Sequence, residues 1–293
     1  MTKIKKKNQL KTQNTFSRPF LKWAGSKYQI LDTIFSKLPE GNRLIEPFTG
    51  SGAVFLNSKF SRYLVNDINV DLVNLYKSIQ LHGERFITDA QKYFTDKNNN
   101  EKIYYKFRER FNSLNDIYEK SCLFLYLNRH GYNGLVRYNS QGRYNVPFGR
   151  YKKPYFPFKE LVFFYTKSKK ITFTSLDFKK IMSRARRGNI VYADPPYIPL
   201  NSTSNFTSYS ANTFGVKEQK ELAYEAMKLS KRGVAVLISN HDTPFAREIY
   251  REAKSISSFL VQRYISCYGE KRSKALELLA FYEAKTNAIY SRR

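Results

Sequence analysis

Apolar residues along this chain alternate between short runs and helical repeats. The run 43–48 stops at a glycine-containing turn, 49–52, and a second apolar run follows at 63–67. Four apolar residues then recur at helical spacing: Leu72, Leu75, Tyr76 and Ile79. Strand, glycine turn, strand and helix in this order are typical of the start of an open sheet covered by helices, so the pattern predicts an α/β fold.

The middle of the chain differs from its two ends in residue pattern and composition. Residues 81–130 have a helical pattern dense in aromatic residues, whereas 131–158 are rich in Gly, Asn, Tyr, Pro and Arg. A turn at 139–142 predicts a β-hairpin with short strands at 135–138 and 143–146. Strand-like runs resume beyond this insert, at 171–174, 189–193, 234–239, 259–266 and 276–282.

These differences in pattern and composition divide the chain into three parts. We predict a basic arm over 1–17, one α/β domain assembled from 18–79 and 159–293, and a mostly helical insert with a β-hairpin over 80–158. A single sheet built from both ends of the chain is the simplest architecture, because alternating strand and helix patterns occur on both sides of the insert.

Charge is the most unusual feature of the composition. The 293 residues include 51 Lys and Arg against 24 Asp and Glu, a formal net charge of +27. Such an excess favours a polyanionic partner, because each neutralised phosphate releases condensed counterions. A solubilising, lysine-rich surface is the alternative. No acidic residue precedes Asp32, and we interpret this polar start as an arm that contacts DNA backbone or is simply solvated.

Cysteine usage and hydropathy indicate the cellular environment. Cys122 and Cys267 lie far apart without CxxC spacing, which argues for a reducing compartment and against a disulfide framework or a zinc site. The three histidines are scattered, and no apolar run approaches the length of a membrane span. We therefore expect a cytoplasmic protein with neither a metal nor a membrane as partner.

The tetrad Asp194-Pro195-Pro196-Tyr197 directly follows the apolar run 190–193. Ligands of open α/β sheets bind beyond the carboxyl ends of strands, where this tetrad falls. Asp194 and the Pro195 carbonyl can accept the two hydrogens of an exocyclic amine, and Tyr197 offers a flat face to a base. Holding those hydrogens frees the nitrogen lone pair, so the tetrad predicts methyl transfer to an amino nitrogen. A rigid turn capped by Asp194 is the alternative.

Two further segments indicate a nucleoside cofactor. Glycines in the turn 46–52 let a ligand approach the backbone closely, and Asp67, near the end of the next strand, can take both ribose hydroxyls. Capping of the following helix is the alternative role for Asp67. Upstream, the segment 20–27 contains the only tryptophan, Trp23, which by itself is more typical of packing than of ligand binding.

Together these segments resemble the DNA adenine methyltransferase (Dam) family, which has the same order of cofactor half, recognition insert and DPPY half. The likeness continues through 128–139, 145–156 and 239–243, and so covers about 18–282. Ser26 departs from it, where a second glycine is common. The resemblance implies a Rossmann-like class I S-adenosylmethionine-dependent methyltransferase sheet with an inserted DNA-recognition domain. It also implies that adenine is flipped out of GATC sites in double-stranded DNA.

The resemblance further implies roles for individual residues. The residues expected to hold the cofactor S-adenosylmethionine are Trp23, Lys27, Phe48, Gly50, Gly52, Asp67 and Asp194. Those expected to carry catalysis are Asp194, Pro195, Pro196 and Tyr197, with the tyrosine stacked on the extruded adenine. Those expected to contact DNA are Lys22, Tyr132, Asn133, Leu135, Arg137 and Pro147. Arg137 would read guanine O6 and N7 in the major groove.

Two rival functions fit parts of this pattern. RNA amino-methyltransferases use similar tetrads, but A-form RNA hides the major-groove edge that Arg137 would read. A non-catalytic DNA-binding regulator would not need an intact tetrad together with Asp67. The sequence leaves open a solitary methylase, a phage enzyme and the methylating half of a restriction pair, and we expect a monomer.

Overall fold

The computed structural model describes residues 16–197, 214–262 and 274–285, and these contain a seven-stranded sheet. Its strands are β1 Arg43–Glu46, β2 Arg62–Asn66, β3 Ile171–Thr174, β4 Asn189–Ala193, β5 Ala235–His241, β6 Ser255–Gln262 and β7 Lys274–Tyr282. They follow the order β3-β2-β1-β4-β5-β7-β6 across the sheet. β1 to β5 are parallel, and β7 runs antiparallel to both β5 and β6.

The strand order reverses between β1 and β4, the two central strands. A crevice opens outside their carboxyl ends, which is where ligands of such sheets bind. Both strands are buried on both faces and read as continuous apolar runs, for example Leu44-Ile45 and Ile190–Ala193. This is a Rossmann-like open sheet, and the predicted α/β fold class is confirmed.

Helices cover both faces of the sheet. They are α1 Leu31–Phe35, α2 Ala53–Asn57, α3 Val70–Gln91, α4 Glu101–Ser113, α5 Ile117–His130, α6 Phe158–Ser168, α7 Phe178–Met182, α8 Val216–Lys231 and α9 Pro244–Ile249. Several begin where a polar side chain accepts a hydrogen bond from the first turn, as Asn69 does from Leu72 N in α3. One apolar core lies beneath α3, α5 and α6, and a second lies beneath α7 and α8.

Most strands form where the sequence predicts them, with β3 and β4 on the predicted residues. β6 begins earlier, at Ser255, and the end predicted for it lies outside the described residues. In the recognition insert the turn forms, but the flanking segments pair only at Tyr138 and Tyr144 instead of as regular strands. The ladder stops because the Asn145 carbonyl, which would pair with Arg137 N, accepts from the Arg137 guanidinium at 3.2 Å, and Pro147, opposite Leu135, has no N–H to donate. Asn112 of α4 bonds the N–H and the carbonyl of Tyr144, which face away from 135–138.

The insert is closely tied to the sheet. The boundary predicted at 79/80 falls inside α3, which continues to Gln91 with a kink at Gly83 (φ 50°, ψ −121°). Residues of α4 and α5 share one apolar core with residues of β1 and β2. The division of the chain into domains stays a prediction. Of the predicted basic arm, 1–15 lie outside the described residues, as does Cys267. No helix in the described ranges is long and apolar enough to cross a membrane.

Candidate active site

A cavity of about 430 Å³ lies at the carboxyl ends of β1, β2 and β4. All four residues of the DPPY tetrad line it. Six of the seven predicted cofactor residues also line it: Trp23, Lys27, Phe48, Gly50, Asp67 and Asp194. The exception is Gly52, whose φ of 79° shapes the turn and whose missing Cβ leaves room for the Phe55 ring. Residues separated by more than a hundred positions in sequence therefore meet in one cavity.

Asp67 lies at the end of β2 with both carboxylate oxygens directed at backbone. Gly50 N donates to Oδ2 at 2.9 Å, and Asn69 N donates to Oδ1 at 3.0 Å. The helix that follows is capped by Asn69, so helix capping is not the role of Asp67. Burial raises the pKa of Asp67, and these two hydrogen bonds oppose that rise. The carboxylate joins the glycine turn to the next strand and faces the cavity.

Trp23 combines packing with exposure to the cavity. Gly50 has a φ of 48°, and a Cβ there would come within 2.8 Å of Trp23 Nε1, so glycine is required for the indole to lie against the turn. The carbonyl of Gly50 is held from below by Tyr76 OH at 2.5 Å. The indole therefore forms a fixed wall of the cavity against the glycine turn.

Asp194 and Lys27 form an ion pair inside the cavity. Lys27 Nζ lies 3.1 Å from Asp194 Oδ1, and it also donates to the carbonyl of Gly25 at 3.0 Å. Burial raises the pKa of Asp194, while the Lys27 ammonium counteracts this and favours the ionised carboxylate. Lys27, predicted as a cofactor ligand, thus also favours the charged form of Asp194.

Tyr197 is held by two residues that the sequence reasoning did not assign to the site. Its hydroxyl lies 2.9 Å from Ser239 Oγ at the end of β5 and donates to Glu277 Oε2 on β7 at 3.2 Å. Glu277 also lies 3.9 Å from Lys27 Nζ. The available signal was an acidic residue within the apolar run 276–282, because a carboxylate in a buried strand needs polar partners.

The second proline of the tetrad is fixed from behind. Gln219 Nε2 of α8 donates to the Pro196 carbonyl at 2.9 Å, and Gln219 Oε1 accepts from Tyr250 OH at 2.7 Å. Asn240 completes this buried network by donating to Gln219 Oε1 at 3.0 Å. No described residue donates to the Pro195 carbonyl. The Pro196 carbonyl is thus occupied by Gln219, and the loop is held rigid by this network. The Pro195 carbonyl is the acceptor that remains for a ligand.

Glu46 adds a buried carboxyl to the cavity wall. Burial raises its pKa well above the usual range, although a hydrogen bond from Thr49 Oγ1 at 3.3 Å opposes this. Its Oε1 atom has no hydrogen-bond partner among the described residues. A buried carboxyl oxygen without a partner is costly to keep in a protein unless a ligand supplies the donor.

The predicted DNA contacts form one surface beside the cavity. Tyr132, Asn133, Arg137 and Pro147 are exposed, and Leu135 is half-buried. Two turns place them: Tyr132 N donates to the Pro147 carbonyl at 2.8 Å, and Asn145 N donates to the Arg137 carbonyl at 3.1 Å. Asn133 has a φ of 51°, a conformation that asparagine tolerates better than most residues.

Lys22 connects this surface to the cavity, because its neighbour in sequence, Trp23, lines the cavity. Asn128 of α5 bonds both the N–H and the carbonyl of Lys22, at 2.9 and 2.8 Å. The Lys22 ammonium lies 3.7 Å from the centre of the Tyr151 ring. Desolvation, with a smaller contribution from Arg129, lowers the pKa of Lys22 to about 8. Lys22, predicted to contact DNA, and a wall of the cavity are therefore adjacent and fixed.

The open sheet and the cavity define an α/β enzyme whose ligands bind at the topological switch point between β1 and β4. A family model described as D12 class N6 adenine-specific DNA methyltransferase matches residues 23–263, and the chain belongs to this family. It is therefore an enzyme of DNA adenine methylation.

Curated relatives agree with this assignment. The chain is 49% identical over 267 residues to a DNA adenine methylase of Escherichia coli K12, covering 91% of this chain and 96% of that protein. It is 47% identical over 266 residues to a DNA adenine methylase of Vibrio cholerae, covering 90% of this chain and 96% of that protein. Among solved structures, precorrin 8w decarboxylase from Methanobacterium thermoautotrophicum aligns with a TM-score of 0.37 at 10% identity over 87% of this chain and 89% of the other.

Proposed function

We propose that this enzyme transfers a methyl group from S-adenosylmethionine to N6 of the adenine in GATC sites of double-stranded DNA, after flipping that adenine into the cavity. The observation that carries the proposal is the meeting of Asp67, Asp194 and Tyr197 in one cavity beside the surface of Lys22 and Arg137. We place this reaction in the cytoplasm, on the bacterial or phage DNA that is its substrate.

The residues at the β1–β2 end of the cavity fit S-adenosylmethionine. Each oxygen of Asp67 already accepts one backbone N–H, and a carboxylate has about four acceptor positions, so two remain for ribose hydroxyls. Trp23 and Phe48 supply apolar walls for an adenine ring, and the partnerless Oε1 of Glu46 supplies an acceptor for an amine. When bound, the cofactor supplies an electrophilic methyl on a cationic sulfur.

The residues at the β4 end fit the amino group of adenine. Asp194, whose ionised form the Lys27 ammonium favours, and the Pro195 carbonyl accept the two N6 hydrogens and orient the nitrogen lone pair. Tyr197 provides the face on which the base stacks, and Ser239 and Glu277 hold its hydroxyl. Flipping costs a few kcal/mol of unstacking, and positioning of the two reactants is the main service of the protein.

Specificity for GATC rests on the surface formed by the predicted DNA contacts, which we call the recognition surface: Lys22, Tyr132, Asn133, Leu135, Arg137 and Pro147. Arg137 is exposed, and its guanidinium is oriented by Asn145, with Nε donating to Oδ1 at 2.8 Å and Nη2 to the carbonyl at 3.2 Å. An oriented guanidinium suits bidentate contact with guanine O6 and N7. The surplus of basic residues supplies sequence-independent attraction to phosphates.

Plasmid DNA from a methylation-deficient host that expresses this chain tests the proposal. We expect protection from a nuclease that cuts only unmethylated GATC, and cleavage by one that cuts only methylated GATC. Plasmid from a host without the chain is the control. Methylated adenine at other sites would contradict the GATC assignment and keep the reaction, whereas methylated RNA with unmodified plasmid would contradict the DNA substrate.

The single tryptophan makes cofactor binding directly measurable. Because Trp23 lines the cavity and the chain has no other tryptophan, S-adenosylmethionine should change the intrinsic fluorescence of the protein. Asp67→Ala is expected to raise the Kd from this titration by about tenfold to a hundredfold, since hydrogen bonds to a charged group contribute about 1.5–3 kcal/mol. Asp96→Ala, an exposed carboxylate outside the cavity, is the matched control. An unchanged Kd for Asp67→Ala would exclude the ribose assignment.

A further inference from the structure

The amino-terminal edge of the parallel strands, on the side of the sheet opposite the cavity, is strongly basic. β2 and β1 begin with arginine, and arginines stand two and three positions before the neighbouring strands β4 and β5. We call this set the arginine edge, and its members are Arg43, Arg62, Arg184, Arg186, Arg187 and Arg232. Only the sheet order brings them together, because they are spread over almost two hundred positions of the sequence.

The members of the arginine edge lie close to one another. Arg43 and Arg62 face each other in the β1–β2 register. Desolvation, and then the charges of Arg62 and Arg184, lower the pKa of Arg43. The Arg43 Nε atom is buried and has no hydrogen-bond partner among the described residues. The edge therefore includes a donor that the described protein leaves unsatisfied amid like charges.

Backbone carbonyls, and not carboxylates, hold the arginine edge in place. Arg186 Nη1 donates to the Ser183 carbonyl at 3.2 Å, and Arg232 Nη2 donates to the Ala185 carbonyl at 3.3 Å. Neutral carbonyls orient a guanidinium without cancelling its charge. The remaining N–H groups of each fork stay available to an anion.

Acidic residues do not neutralise this edge within the described ranges. None of the six arginines forms an ion pair with a described carboxylate, whereas basic residues elsewhere do, such as Lys179 with Glu221 and Arg247 with Asp242. Glu283, which follows β7 at the same end of the sheet, pairs with Lys254. Glu40, in the loop before β1, is exposed. The edge thus keeps a concentrated positive charge that suits a polyanion.

We propose that the arginine edge binds the phosphate backbone of a second segment of duplex DNA while the first segment occupies the recognition surface. Four neighbouring strands span about 14 Å at the usual strand spacing, which corresponds to about four base-pair steps of 3.4 Å. Guanidinium forks match phosphate oxygens. The arginines lie on strand starts and short turns, not on an element that enters a groove, so the contact is independent of sequence.

This second contact serves transfer between DNA segments. An enzyme that holds a neighbouring segment at its far side can reach a new site without returning to bulk solvent. The inference rests on DNA as the substrate but not on GATC or on base flipping. Methylation of a short duplex with one site needs only the recognition surface, and so does not depend on the arginine edge.

The test is binding of a second duplex. The enzyme is first saturated with an unlabelled short GATC duplex, and a labelled duplex without GATC is then titrated at low salt and followed by anisotropy. We expect the double variant Arg184→Ala/Arg187→Ala to bind the labelled duplex about tenfold more weakly. Its slope of log affinity against log salt should be lower by about two. The matched control Lys77→Ala/Lys106→Ala removes two exposed charges outside the edge and should bind like the parent.

Methylation of the single-site duplex is measured for all variants and should stay within about twofold of the parent. A parent enzyme that binds no second duplex at low salt would overturn the proposal, as would equal second-duplex binding by the arginine and lysine variants. Loss of single-site methylation in the arginine variant alone would also overturn it, because the edge would then act on the first duplex or on the fold. The parent's own methylation of the single-site duplex is measured in the same series. If the proposed function were wrong, the parent itself would not methylate this duplex, and that result is distinct from a loss of second-duplex binding.

Discussion

Replacing Asp194 with alanine is expected to lower kcat for DNA methylation by about a hundredfold to a thousandfold, the loss usual when one preorganised polar group facing developing charge is removed. In the proposed mechanism Asp194 accepts from the amino group, and the Lys27 ammonium favours its ionised form. Without it, positive charge that develops on N6 has no carboxylate beside it. The Pro195 carbonyl remains and orients one hydrogen, so some activity should persist.

Three measurements on the Asp194 variant separate its roles. Single-turnover kinetics give the chemical step, Trp23 fluorescence gives cofactor binding, and anisotropy gives DNA binding. Asp89→Ala is the control, because it removes another carboxylate that pairs with a lysine, Lys92, outside the cavity. If the Asp194 variant lost the binding of both partners and turned over normally at saturation, the catalytic assignment would be wrong.

Replacing Arg137 with alanine is expected to lower kcat/KM on GATC duplexes by about tenfold to a hundredfold. A bidentate arginine–guanine contact contributes about 1–3 kcal/mol of discrimination. The same substitution should hardly affect duplexes in which that guanine is already changed. We therefore expect the ratio of kcat/KM on GATC duplexes to kcat/KM on duplexes with one base changed to fall. A uniform loss of activity on all duplexes is not expected.

The control for Arg137 lies in the same insert. Arg143 is also a basic residue beside the turn, but its guanidinium pairs with Glu109, so Arg143→Ala should leave the ratio between sites unchanged. Competition assays with GATC and its single-base variants measure the ratio for both proteins. An Arg137→Ala enzyme that loses activity equally on all duplexes would show that Arg137 contacts phosphate and reads no base.

Much of the catalytic site could be predicted from the sequence because its parts are local. Asp194–Tyr197 directly follows β4, and Asp67 directly follows β2, so the end of each strand fixes where the side chain falls. Short apolar runs identify buried parallel strands, and parallel strands place their carboxyl ends at one edge. The DPPY tetrad and six of the seven predicted cofactor residues accordingly line one cavity.

The sequence could not show which side chains meet across the fold. Glu277 reaches Tyr197 and Lys27 only because β7 inserts antiparallel beside β5, an arrangement set by pairing between distant strands. Asn112 of a separate helix likewise holds the N–H and the carbonyl of Tyr144 in the predicted hairpin, a contact that no local pattern shows. Hydrophobic period predicts an element but not its partners.

The sequence by itself determined the α/β class, the strand-end motifs and the excess of positive charge, since each depends on residues close together in the chain. The tertiary structure decided the distribution of that charge. Arg43, Arg62 and Arg184 converge because β2, β1 and β4 are neighbours in the sheet, although β4 is the fourth strand in sequence. Strand order follows from crossovers and packing over the whole domain, and so the arginine edge and the cavity on the opposite side exist only in the folded chain.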